Sequence, residues 1–115
     1  MYFEFLSCVR GHHVYKSKWQ PVIGEVLNCE VEPDNPHDKH AVAITRTKDG
    51  STDIVGHVPR ENSKVIKYFL SRGGTIEVVI TGSRENQGIG LQVPAKYKFT
   101  GSKSDIAKLP KLLKN

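Results

Sequence analysis

The chain has 115 residues, 37% hydrophobic and 25% charged, with ten glycines, six prolines and a formal net charge of +5. That length suffices for one domain with a modest core and is too short for two. No apolar run approaches the roughly 18 residues a membrane span needs, and the N-terminus lacks the basic, apolar and small-residue succession of a secretory signal, so neither membrane insertion nor secretion is expected.

The charge is uneven. Residues 1–57 hold six Lys/Arg against eight Asp/Glu, a net of −2, while residues 58–115 hold eleven against four, a net of +7. A basic half of this kind suits a polyanionic partner. Cys8 and Cys29 fall in predicted strands and, without a secretory context, read as reduced core residues rather than a disulfide.

In chain order, residues 3–10 alternate Phe3, Phe5, Ser7 and Val9 against Glu4, Leu6, Cys8 and Arg10, the period of a strand. Gly11 ends it, and an irregular polar-aromatic loop follows up to Trp19. A second strand is expected over 22–31, with imperfect alternation and Gly24 inside it, the mark of a bulge or a close backbone approach. The chain is then organised around residues 32–44, Glu-Pro-Asp-Asn-Pro-His-Asp-Lys-His-Ala-Val-Ala-Ile. Pro33 and Pro36 fix φ and lack a backbone donor. Asp34, Asn35 and Asp38 carry oxygens that bond nearby backbone in turns. Residues 41–44 read as a buried strand, continuing to about residue 47.

Asp49-Gly50 signals a hairpin, because both residues accept positive φ, and leads into a short strand over 53–58. Beyond Pro59, residues Val65, Ile66, Phe69 and Leu70 put an apolar stripe on one face of a helix over 60–72. Asn62 or Ser63 is the expected cap, and Gly73-Gly74 the stop. A fifth strand spans 75–82, a polar Gly-rich loop 83–90, and a sixth strand 91–100, where Pro94 marks a kink or an edge. Ile106, Leu109, Leu112 and Leu113 have helical spacing interrupted by Pro110, so the tail is either a short helix capped by Ser104 or loose. Six strands, one mid-chain helix and tight turns predict a mainly β, small α+β domain. Because the helix must bury its stripe, a six-stranded, partly open antiparallel barrel fits better than a sandwich. The domain is expected to span 1–101, with 102–115 a basic tail or short helix.

Five histidines raise the question of a metal. Zinc needs three or four convergent ligands, and neither a His-Glu-x-x-His motif nor a cysteine pair at zinc spacing is present, so no metal and no cofactor is expected. Gly-x-Ser-x-Gly is absent, and Gly88-Ile89-Gly90 lacks the remainder of a phosphate loop. A non-enzymatic function is expected.

The run from Glu32 to Val42 resembles the signature of HIRAN domains, an Asn-Pro-aromatic-Asp turn followed by an Asn-Ala-hydrophobic strand. The blocks Gly11 to Tyr15, Gly24-Glu25-Val26-Leu27 and Val55-Gly56-His57-Val58-Pro59-Arg60 agree in spacing, and the resemblance covers about residues 3–99. It implies a six-stranded, OB-like barrel. From the HIRAN domains of fork-remodelling translocases it also implies a pocket for the 3′ end of single-stranded DNA, in which aromatics sandwich the terminal bases and an Asp accepts a hydrogen bond from the 3′-hydroxyl. A carboxylate suits that role because it accepts from a hydroxyl and repels a terminal phosphate.

Matched position by position, the resemblance makes Asp38 the hydroxyl-binding Asp, Asn35 the Asn of the turn, His57 a His of DNA-binding members and Tyr15 the second of two Tyr. His13 stands in place of an Arg, Val14 of a stacking Tyr, His37 of a Tyr and Leu91 of an aromatic. Each missing stacking platform removes roughly 1–3 kcal/mol per base; Tyr15, Trp19 and Tyr97 are the aromatics left to compensate. Lys16, Arg60, Lys64 and Lys96 are the expected contacts to the DNA backbone. The expected partner is therefore single-stranded DNA at its 3′ end, bound by a nuclear monomer at replication forks or in DNA repair, with a fused motor or nuclease domain or other protein partners left open. The competing expectation is a protein-interaction module that keeps the barrel and has lost the pocket.

Overall fold

The computed structural model describes residues 1–11, 19–36, 39–83, 85–86 and 91–113, with the backbone alone at 85, 86 and 91. The elements are β1 (Tyr2–Arg10), β2 (Val26–Val31), β3 (Val42–Lys48), β4 (Ser51–His57), α1 (Arg60–Ser71), β5 (Thr75–Ile80), β6 (Glu85–Asn86), β7 (Leu91–Thr100) and α2 (Lys103–Leu112). The strands lie in the order β1-β4-β3-β2-β5-β7, all antiparallel, and β7 returns to β1, which closes six of them into a ring. Part of the expected loop over 83–90 contributes β6, a short addition to β7. Closure is uneven. β1 pairs with β7 from Tyr2↔Thr100 to Arg10↔Gln92, but with β4 only through Arg10↔His57. The ring is partly open on that side.

Period-two alternation fills the interior. Ile76, Val78 and Ile80 of β5 and Val93, Ala95, Tyr97 and Phe99 of β7 are buried, together with Phe5, Val9, Leu27, Ile44 and Val55. Tyr97 is fully enclosed, and its hydroxyl donates to the Cys8 carbonyl at 2.7 Å, so its polar atom is satisfied inside the core. Burial pushes the Tyr97 phenol well above its ordinary pKa. Residues 41–44 are buried without a break, as their unbroken apolar run predicts. Asp49 (φ 53°) and Gly50 (φ 80°) take the two positive-φ positions of a tight hairpin turn.

The second strand begins later than expected. Gly24 (φ 92°) turns the chain and leaves Val22 and Ile23 outside. Its close backbone approach is to β5: Gly24 N–H donates to the Ile80 carbonyl at 2.8 Å, and Ile80 N–H to the Glu25 carbonyl at 2.9 Å.

α1 sinks Ile66 and Phe69 into the core, where Phe69 meets Phe99 edge-on at 5.2 Å and 84°. The expected caps differ. Pro59, whose ring fixes φ, occupies the N-cap with no side-chain bond, and Asn62 and Ser63 lie buried within the first turn. Ser63 donates instead to the Arg60 carbonyl at 2.9 Å. The tail is helical: Pro110 sits near the end of α2 without breaking it, and Ile106, Leu109 and Leu113 join the core. Its cap is Ser102 rather than Ser104, accepting from the Asp105 N–H at 3.2 Å. Cys8 and Cys29 are free, partly buried thiols; burial raises both, Cys29 to about 12. Among the described residues no helix is long and apolar enough to cross a membrane.

Arg72 at the end of α1 reaches Asp105 at the start of α2, Nε to Oδ1 at 3.2 Å. The hydrogen bond with Ser102, followed by that with Arg72, holds the Asp105 carboxyl below the usual carboxylate range. A lowered folded-state pKa means the stabilisation is complete above the unfolded value of about 3.9 and is lost as pH falls through the folded value. Asp105→Asn is therefore expected to lower the melting temperature at neutral pH, with the gap to the parent closing at acid pH; thermal melts across that range check it.

Candidate nucleic-acid interface

The site starts from a bulge in β4. The register passes from Ile44↔Gly56 to Thr45↔Ile54, leaving Val55 as an extra residue, and such an insertion bends a strand and re-aims its end. Past the bulge, His57 stands opposite Ala43 of β3 and Arg10 of β1. β1 can pass so near only because residue 56 is glycine: a Cβ there would strike the Val9 side chain and lie 2.8 Å from the Arg10 carbonyl oxygen. Gly11 (φ 77°) then turns the chain out of β1.

At this weakly joined seam the barrel opens into a cleft of about 260 Å³. Buried Ala41, Val42 and Val58 give it an apolar floor, and Arg10, Gly11, Asn35, His57 and Arg60 complete its lining. The polar groups are held in place. Arg10 grips Glu61 in the first turn of α1 through both terminal nitrogens, at 2.6 and 2.9 Å, while its Nε reaches Gln92 Oε1 at 3.4 Å. Burial alone would raise the Glu61 carboxyl; a backbone hydrogen bond and Arg10 outweigh it and hold the group below its usual range. His57 Nε2 pairs with Glu32 Oε1, and Asn35 Nδ2 donates to the same oxygen at 3.5 Å. One carboxylate thus orients both the histidine and the amide.

The turn bearing Asn35 is fastened at two points. Glu32 N–H donates to the Ala41 carbonyl at 2.9 Å, closing its neck. Lys67 Nζ donates to the Lys39 carbonyl at 2.9 Å, tying its far side to α1.

Asn35, His57 and Arg60 come together in this cleft. Lys64, also on α1, lines an adjoining crevice with Asn35 and Arg60. His13, Val14, Tyr15, Lys16, His37 and Asp38 lie outside the described residues, as does the side chain of Leu91. In the chain, residues 12–18 continue directly from Gly11, and 37–38 fall between Asn35 and Ala41, all three in the cleft lining. Lys96 is elsewhere, farther along β7 than Gln92 and 3.7 Å from Glu4 Oε1. Two aromatics expected to compensate for missing stacking surfaces cannot do so. Trp19 is 1% exposed, its indole N–H donating to Glu25 Oε1 at 3.1 Å, and Tyr97 is 0% exposed. Their large apolar rings are more stable filling the core than facing solvent.

Arg10, Glu32 and Glu61 were not singled out by sequence. Arg10 is the charged last residue of an alternating strand, directly before a glycine, which marks it as a strand-end group. Nothing local pairs it with a carboxylate 51 residues on. Among the described residues no three His, Cys, Asp or Glu side chains converge as metal ligands.

A ring of six short antiparallel strands, helix-packed and opened at one seam into a preformed cleft, is a small OB-like barrel module. The family model of the HIRAN domain matches residues 3–98, and the chain belongs to the HIRAN domain family. Among solved structures, the crystal structure of the HIRAN domain of human HLTF is similar with a TM-score of 0.72 at 21% identity, covering 96% of this chain and 85% of that one. An NMR structure of the HLTF HIRAN domain gives 0.65 at 23%, covering 96% and 88%. The NMR structure of that domain in its DNA-bound conformation gives 0.64 at 20%, covering 95% and 87%. No curated protein matches the chain.

Gly56→Ala tests the seam. Forcing a methyl between β4 and β1 is expected to destabilise the fold by roughly 1–3 kcal/mol, as overpacking does. The midpoint of urea unfolding reads it; an unchanged midpoint means the strands do not need that approach.

Proposed function

We propose that this HIRAN domain binds single-stranded DNA and seats a free 3′-hydroxyl end in the cleft between β1 and β4, without catalysing a reaction. The observation that carries the reading is the preformed cleft, in which Asn35 and His57 are oriented by Glu32 and face an apolar floor beside Arg60. An apolar floor suits a base, and fixed polar groups around it suit a sugar end and its phosphates. In this reading Asp38 accepts from the terminal hydroxyl, and Tyr15, His37 and His57 hold the last nucleotides. His13, Val14 and Leu91 stand at the positions where the family carries an Arg and stacking aromatics, and Lys16, Arg60 and Lys64 contact the backbone. The net charge of +5 and the DNA-bound conformation known for the HLTF HIRAN domain support a nucleic-acid partner. The domain then acts as a monomeric end sensor for a nuclear machine at forks or in DNA repair, with a motor or nuclease as the natural fused partner.

One observation favours a second reading, a protein-interaction module. Val26 of β2, Val79 of β5, Lys96 of β7 and Leu6 of β1 are successive register partners, and Val26 and Leu6 are 53% and 67% exposed. Such an outward row, apolar but for Lys96, fits a protein surface rather than a polyanion.

Fluorescence anisotropy on one oligonucleotide ending in a 3′-hydroxyl or a 3′-phosphate separates the readings. The hydroxyl end is expected to bind more tightly. Asp38→Asn removes a charge-assisted hydrogen bond of roughly 1.5–3 kcal/mol, or about 10- to 100-fold in affinity, and with it the preference. Equal binding of both ends sinks end recognition, and no binding at low salt leaves the protein-interaction reading.

A further inference from the structure

The cleft does not end at Asn35 and Arg60. Both residues also line a second, more open crevice of about 500 Å³, so the two hollows adjoin, one at the β1–β4 seam and the other beside the start of α1. The chemistry changes from one to the other. The cleft has an apolar floor, whereas the crevice is walled by Lys39 and His40 on one side and Arg60 and Lys64 on the other. Among its described lining residues none is acidic. Lys39 and Lys64 are exposed at its two walls, and the bond from Lys67 to the Lys39 carbonyl ties the turn that bears one to the helix that bears the other.

β7 offers a different surface. Across the outside of the sheet, Glu77, Lys98 and Glu4 are successive register partners, and Lys96 stands 3.7 Å from Glu4. Two carboxylates flank the lysines there, so a phosphate chain laid along β7 meets alternating sign. Among its described lining residues the crevice presents positive charge alone.

We propose that this crevice carries the phosphates of the nucleotides preceding the seated 3′ end, so that the bound strand leaves the domain across the first turns of α1, with Lys39 and Lys64 as its backbone contacts and Lys96 off its path. This rests on the end-binding reading above. A strand tracked this way is held without regard to sequence, and each neutralised phosphate steepens the salt dependence of binding.

The test is anisotropy on the full chain with a labelled dinucleotide and a longer single strand, both ending in a 3′-hydroxyl, across a salt titration. The Lys39→Ala, Lys64→Ala double variant is expected to flatten the slope of log affinity against log salt for the longer strand by about 1.4, that is about 0.7 for each phosphate no longer neutralised. Dinucleotide affinity and the preference for a hydroxyl end stay unchanged, and Lys96→Ala changes neither. An unchanged slope in the double variant, a slope flattened instead by Lys96→Ala, or an equal loss with the dinucleotide overturns the route while end recognition stands. Failure of both oligonucleotides to bind the parent protein overturns both readings. Both lysines are exposed, and a circular-dichroism melt confirms that the variants fold.

Discussion

β1 lies along β7 from end to end, yet it meets β4 through one register pair, Arg10 opposite His57. Much of the molecule depends on that meeting. It completes the ring, it brings the two chain exits at Gly11 and Val58 to one place, and it carries Arg10 onto Glu61 at the start of α1. A fully paired seam would consume its backbone groups in a ladder and leave no opening. Here side chains take over where the ladder stops, and a ligand can approach them. The missing Cβ at Gly56 is the feature that allows the two strands to come that close.

Glu32 plays the corresponding part on the other side of the cleft. It is the shared acceptor for His57 and Asn35, and its backbone N–H closes the turn against Ala41. Two prolines within that turn restrict it further, and the bond from Lys67 to Lys39 ties it to a helix whose own stripe is locked in the core. Binding groups mounted on such a frame lose little freedom when a ligand arrives, so more of each contact remains as affinity. In the end-binding reading proposed above, the apolar floor would keep water from a seated base, while the more open crevice would leave phosphates hydrated, so that neutralisation there acts through counterion release.

Most of the fold was legible from local rules. Alternation marked β1, the Asp49-Gly50 pair marked the hairpin, and the apolar stripe marked α1, because each signal is written within a few neighbouring residues. The differences lie where a second contact, distant or adjacent, overrode the local signal. Val22 and Ile23 look like strand residues, but the backbone bonds of Gly24 and Glu25 to Ile80 set where the strand begins. Asn62 and Ser63 look like caps, but the Pro59 turn starts the helix earlier and packing buries them. Pro110 left the tail open between a short helix and a loose segment; the helix forms, because near the end of α2 few backbone bonds remain for Pro110 to interrupt.

The site divides in the same way. The turn over 32–44, with Asn35 as a polar group at a strand entrance, could be picked out from the chain alone, because proline and Asx residues announce special backbone wherever they fall, whereas His57 was singled out by the resemblance to HIRAN domains. Sequence also determined the balance of charge and the family pattern. Only the tertiary structure decided that Asn35 and His57 share the carboxylate of Glu32, that Arg10 belongs to the cleft, and that Trp19 and Tyr97 are core rather than platform. The setting of Arg10 and the enclosure of Tyr97 depend on ring closure, which places residues from opposite ends of the chain within hydrogen-bond reach. No periodicity along a single strand records which strand will come to lie beside it.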